Sequence, residues 1–115
     1  KDIILFDRFY DASLAYQGFG RGLSQEIIKN LITFTKCPVP DITFLLDIEV
    51  EEGFKRKLND KKDRIESSGI DFFENVRSGY LTLSQNEPNR IKVLDAKKSI
   101  DDLHSEIMSF VNIIL

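Results

Sequence analysis

Tryptophan is absent from this 115-residue chain, and cysteine, histidine and methionine each occur once. A single cysteine, Cys37, excludes an intramolecular disulfide, and with only His104 beside it excludes a zinc cluster. Cys37 reads as an ordinary thiol of a reducing compartment, and His104 as one position of a C-terminal helix. Long apolar runs are also missing. Ile3 to Phe6 and Phe44 to Leu46 fall far short of the ~20 residues that a bilayer span needs, so no membrane partner is expected. No basic segment with an apolar core opens the chain, so nothing points to secretion and a cytoplasmic protein is expected. Nor is there an excess of positive charge. Sixteen Lys and Arg against nineteen Asp and Glu leave a net charge of −3, which weighs against a chain built to coat nucleic acid. An initiator methionine is lacking, and Lys1 reads as an internal start.

What is present suits one globular domain: 42% of residues are hydrophobic and 30% charged. Three segments share a design, an apolar run ending in aspartate: Asp2 to Asp7, Asp41 to Asp47, and Arg90 to Asp95. The first two are nearly continuous hydrophobics, the pattern of parallel strands covered on both faces. Helix-like stretches follow each, which predicts an α/β fold with ligands gathered at the strand ends, where Asp7, Asp47 and Asp95 lie. As turn or cap residues, Asp47 and Asp95 would need no ligand. Helices are expected from Ser24 to Lys36, with Ile27, Ile28, Leu31, Ile32 and Thr35 on one face, and from Val50 to Leu58. Two more are expected from Ile70 to about Gln85 and from Ser99 onward, the last burying Ile100, Leu103, Ile107, Phe110 and Ile114. Ser99 with Asp102 three residues on is a near capping box.

The most informative stretch is DRFYDASLAYQGFGRG, Asp7 to Gly22. Directly after a buried run it places an acid–arginine pair, hydroxyls, an amide, aromatics and three glycines, and it reads as a strand-end loop. A planar guanidinium such as Arg8 suits phosphate oxygens, and glycines let backbone approach a ligand. A structural loop and a nucleotide site both remain open on composition alone.

The same stretch resembles the thymidylate kinase signature, in which Asp-Arg is followed by Ser-Leu-Ala-Tyr-Gln-Gly and then Gly-Arg-Gly. Asp7, Arg8, Ser13, Leu14, Ala15, Tyr16, Gln17, Gly18, Arg21 and Gly22 match in order and spacing. Ala12 and Phe9 depart from it: bacterial members often carry a hydroxyl at the first position and Tyr or His at the second. The resemblance implies that Arg8 binds the phosphate of dTMP, that Ser13 and Gln17 address the thymine base, and that Tyr16 walls the pocket near the deoxyribose. It implies that Asp7 supports Mg²⁺ through water. Tyr80 would be a second aromatic near the sugar, and Ala96 and Lys97, after Asp95, would flank the adenine of ATP.

Between Lys55 and Glu66 lie Lys55, Arg56, Lys57, Lys61, Lys62 and Arg64 with three acids. Taken alone this is a solvated charged face. The resemblance makes residues 55–69 a lid over ATP, with Arg64 neutralising the transferring phosphoryl group and Arg56 a supporting phosphate contact, since phosphoryl transfer relies on positioning and charge stabilisation.

No G-x-x-x-x-G-K-[S/T] stands anywhere in the chain. The fold implied is therefore part of a P-loop kinase-type parallel sheet flanked by helices, with residues 1–115 forming the C-terminal part of one nucleoside monophosphate kinase domain. Only the third, fourth and fifth strands of a sheet ordered 2-3-1-4-5 would be present. Strand one normally lies between the third and fourth, so the runs at Ile3–Phe6 and Thr43–Leu46 would share no hydrogen-bonding neighbour. Unpaired buried amides cost roughly 1–3 kcal/mol each, and several would exceed a typical stability of about 5–15 kcal/mol. The chain is thus expected not to fold alone, its partner being the missing N-terminal segment, and the two runs are expected not to pair directly at about 4.8 Å. The intact protein is expected to be a homodimeric dTMP kinase using Mg–ATP, with the Ser24–Lys36 helix as a candidate dimer contact. A non-catalytic nucleotide-binding or assembly module beginning at Lys1, and a kinase for another deoxynucleotide, are the rival readings.

Overall fold

A computed structural model describes residues 2–57 and 69–115. In chain order it shows α1 (Tyr10–Ser13) running straight into a π-helix (Leu14–Gly20), then α2 (Gln25–Phe34), β1 (Thr43–Asp47) and α3 (Val50–Lys57). After these come α4 (Ile70–Asn86), β2 (Ile91–Asp95) and α5 (Ile100–Ile114). β1 and β2 pair in parallel, Thr43 opposite Ile91 and Asp47 opposite Asp95, so both terminal aspartates stand at one end of the sheet. This is the parallel, helix-flanked arrangement expected of part of a P-loop kinase. Among the described residues no helix is long and apolar enough to cross a membrane.

The strands are short and β-branched or aliphatic, and alternate residues serve different helices. Ile91 joins Leu14, Ile28 and Leu83 in the main core, with Leu45, Ile32, Phe19 and Tyr10 packed around it. Phe44 and Lys92 turn to the other face, where both meet Phe110 of α5. Ser24 and Ser99 cap α2 and α5, accepting from the backbone N–H groups of Ile27 and Asp102 at 3.4 and 3.1 Å.

Four expectations change. The Ile3–Phe6 run pairs with no strand among the described residues, and Ile4 and Leu5 are 73% and 90% exposed. An apolar strand needs a hydrogen-bonding neighbour, and among the described residues neither β1 nor β2 pairs with this run. The Asp7–Gly22 stretch is mostly helical rather than a loop. Its glycines do not break the helix, because they allow close packing on α4. A Cβ on Gly20 would come within 2.8 Å of Phe72 of α4, and Gly79 of α4 itself makes room for Phe19, whose ring a Cβ there would meet at 2.5 Å. The expected single apolar face of α2 splits: Ile28 and Ile32 turn inward, while Ile27 and Leu31 are exposed. Along α5, Leu103, Ile107 and Phe110 are half-buried but Ile100 and Ile114 are exposed, since two strands give that helix a narrow platform. Leu58 and most of the expected lid, including Lys61, Lys62, Asp63, Arg64 and Glu66, lie outside the described residues.

Candidate functional site

Arg8 adopts φ 62°, in the left-handed region that a side chain with a Cβ rarely occupies. That turn brings its guanidinium carbon to 4.6 Å from the centroid of the Tyr16 ring. Tyr16 lies one turn into the helical segment and meets Tyr80 of α4 edge-on, with centroids 6.2 Å apart. Phe72, about two turns back along α4 from Tyr80, closes the same cluster at 6.2 Å from Tyr16 and carries the Arg21 guanidinium at 5.3 Å. Widening from α to π geometry at Leu14 lets the chain end in bonds from Arg21 N–H to the Tyr16 carbonyl and from Leu23 N–H to that of Gln17.

Burial pushes the Tyr80 hydroxyl up to about 12, neighbouring Tyr16 adds to the rise, and the charge of Arg8 pulls the other way. Tyr80 is therefore a neutral hydroxyl near pH 7, a donor beside a cation. Tyr16 and Tyr80 also line a cavity of about 270 Å³ at the carboxyl end of β1, together with Asp47, Phe54, Phe73 and Arg77. Its walls are aromatic and aliphatic with one ion pair, the composition of a pocket that holds a ring and orients it with few polar groups.

Three of the predicted residues, Arg8, Tyr16 and Tyr80, thus come together. Ser13 and Gln17 are exposed on the same helical segment, and Asp7 is exposed beside Arg8. Arg56, Ala96 and Lys97 form a second group: Arg56 Nη1 donates to the Ala96 carbonyl at 3.2 Å, and Lys97 Nζ stands 3.8 Å from the Glu49 carboxylate. Asp95 Oδ1 accepts from the Lys97 N–H at 2.9 Å, so Asp95 shapes the turn that presents these residues. Arg64 lies outside the described residues. Among the described residues no three His, Cys, Asp or Glu side chains gather as they would around a metal ion.

The pairing of two arginines with their carboxylate partners was not singled out by sequence. Arg77 grips Asp47 in the cavity wall, and the hydrogen bond it donates to Asp47 raises the guanidinium above its ordinary value. Arg90, buried at the start of β2, donates to both carboxylate oxygens of Asp11, to both of Glu87 and to Thr43 Oγ1. Asp11 and then Glu87 hold Arg90 charged, and Arg90 in return keeps the Glu87 carboxyl below its ordinary value. Asp11 and Arg90 are 79 residues apart, so no local spacing announced them.

The thymidylate kinase family model matches residues 1–107. Curated relatives named thymidylate kinase include one from Pelodictyon phaeoclathratiforme, 40% identical over 94% of this chain and 55% of its own length. Others come from Chlorobium phaeobacteroides, 42% identical over 92% of this chain and 53% of its own, and Kosmotoga olearia, 41% identical over 94% and 53%. A crystal structure of thymidylate kinase from Ehrlichia chaffeensis superposes with a TM-score of 0.67 at 27% identity, covering 92% of this chain and 47% of that one. The chain spans about half the length of the curated relatives it matches. A signature held on one helical segment, two tyrosines meeting over a cavity at the strand ends, and matches across nearly the whole chain lead to one conclusion: it belongs to the thymidylate kinase family.

Proposed function

We propose that the full-length protein carrying this chain is a cytoplasmic dTMP kinase that transfers the γ-phosphoryl group of ATP to a phosphate oxygen of dTMP, giving ADP and dTDP for dTTP synthesis. The observation that supports it best is the Arg8 guanidinium stacked on Tyr16, with Tyr80 edge-on, at the rim of a cavity beyond the end of β1. Arg8 would take the monophosphate through its planar fork. Tyr16 and Tyr80 would wall the deoxyribose, and Ser13 and Gln17 would address the base. On the other side, Arg56, Ala96 and Lys97, already joined by a hydrogen bond and a shared turn, would meet ATP. Arg64, within a lid at residues 55–69, would add positive charge to the transferring group. Mg²⁺ would enter with ATP, and Asp7 would meet its hydration shell.

Residues 1–115 read as the C-terminal part of a single kinase domain. Lacking a P-loop sequence, this chain has no backbone cradle for the ATP phosphates and is expected to be inactive by itself. Its partner would be the N-terminal segment, seated along the free edge of β1. A second copy of the protein would pack on the exposed Ile27 and Leu31 of α2.

The test is phosphorylation by purified full-length protein of dTMP, dCMP, dGMP and dAMP, with ADP release measured. Clear preference for dTMP, reduced by Gln17→Ala, supports the assignment. Equal turnover of several monophosphates overturns it, and tight dTMP binding without turnover would favour a non-catalytic nucleotide-binding module.

A further inference from the structure

The helix that carries Arg8 and Tyr16 has a weakly anchored start. Phe9, at its N-cap, offers no side-chain hydrogen bond, and residues 2–7 before it are exposed. What ties this start to the sheet is Asp11, buried in the first turn, three residues after Arg8 and five before Tyr16. Its carboxylate receives both ends of the Arg90 fork, at 2.8 and 3.0 Å. Arg90 is itself fixed from three sides. Its carbonyl accepts from the Thr43 N–H at 2.8 Å, its Nη1 reaches the Thr43 hydroxyl at 3.1 Å, and Glu87 holds Nε and Nη2. The Tyr10 ring lies 5.6 Å from the guanidinium and shields it from water.

We propose that Arg90, acting through Asp11, is a positioning residue for the dTMP site, setting the turn of helix on which Arg8 and Tyr16 are presented. This rests on the reading of the protein as a dTMP kinase. A bidentate pair constrains direction as well as distance, which a single hydrogen bond or a lysine does not. Rotating the first turn of the helix would carry Arg8 off the Tyr16 ring without touching the lid or the Arg56–Ala96 side. The consequence falls on dTMP and spares ATP.

Glu87 provides the control. It binds the same guanidinium but lies outside the first helix, so its loss weakens the ion cluster while leaving Asp11 gripped. In full-length protein, steady-state kinetics would vary dTMP and ATP separately for Asp11→Asn and Glu87→Gln. Asp11→Asn is expected to raise KM for dTMP about tenfold, as misplacement of a binding group does, with KM for ATP unchanged. Glu87→Gln is expected to lower thermal stability and leave both KM values as in the wild type. An unchanged KM for dTMP in Asp11→Asn, or an equal rise in both variants, overturns the proposal. Should Asp11→Asn not fold, Arg90→Lys keeps the charge, loses the fork and is read the same way. If neither variant folds, the pair is a folding requirement and the proposal falls. Wild-type protein that fails to phosphorylate dTMP would instead remove the kinase reading, and this proposal with it.

Discussion

Arg77 reaches from α4 to the end of β1 and holds Asp47 by two parallel bonds, Nε to Oδ1 at 2.9 Å and Nη2 to Oδ2 at 3.0 Å. Tyr80 stands one turn further along the same helix. The pair therefore fixes the helix against the strand at the point where the cavity opens. Both side chains keep some solvent contact, so water screens part of the attraction. Arg77→Met is expected to lower stability by about 1–2 kcal/mol, the range for a charge-assisted bond at a half-buried site. Urea unfolding of the full-length protein checks this: the midpoint should fall while the slope with denaturant stays the same. A midpoint equal to the wild type would show that the pair adds nothing beyond its desolvation cost.

Arg8 combines two opposed properties. Its φ of 62° costs about 1–2 kcal/mol for a residue with a Cβ, and its guanidinium is the proposed phosphate anchor. Arg8→Gly removes the backbone cost and the anchor together, whereas Arg8→Ala removes the anchor alone. The glycine variant is expected to be the more stable of the two by about 1 kcal/mol, with dTMP binding lost in both. Thermal unfolding of the full-length variants ranks the stabilities, and calorimetric titration with dTMP reads the binding. Equal stability of the two variants would mean that the strained turn relaxes without the arginine.

Much of this was legible from residue order alone, for physical reasons that can be named. β1 announced itself as a nearly continuous apolar run, the pattern of a parallel strand covered on both faces, and β2 as a largely apolar run ending in Asp95. Arg8, Tyr16 and Gln17 stood out because a family signature is held within one short stretch. The helical form of that stretch was hidden by Gly18 and Gly20, which look like loop residues until Gln25, Phe72 and Val76 are seen lying where a Cβ would go. Asp11 was hidden by distance, since its meaning depends on an arginine 79 residues away. Ile3–Phe6 misled in the opposite direction: its pattern is that of a strand, but a strand exists only where another edge receives it.

Tyr80 offers a pH test of the aromatic cluster. Burial lifts its hydroxyl from an ordinary value of 10.0 to about 12. The folded protein thus holds the phenolic proton more tightly than the unfolded chain does. The resulting stability is present below the unfolded value and is lost as pH rises from about 10 to about 12. Ultraviolet titration of tyrosinate in wild type and Tyr80→Phe should give a difference component centred near 12, and unfolding at a series of alkaline pH values should show a shallower decline in the variant. A difference component near the ordinary value would mean that Tyr80 is solvated and that the Tyr16–Tyr80 contact is looser than the rings indicate.

The free edge of β1 carries the largest consequence. Its amides and carbonyls on the side away from β2 meet no strand among the described residues, and Leu46 at its end is 54% exposed. Close by in sequence logic stands Ile3–Phe6, an apolar run with the residue pattern of a buried strand and Leu5 90% exposed. On the proposed reading, an N-terminal segment would supply a strand that both could pair with, and exposed strand edges are sites of unwanted association. The isolated 115-residue chain is therefore expected to unfold without a sharp thermal transition and to bind a hydrophobic dye. Supplying the N-terminal half of the full-length protein in trans should restore a cooperative transition and remove the dye signal. A sharp transition for the chain by itself would show that α4, the π-helix and two strands form a sufficient core, and that the free edge of β1 costs little.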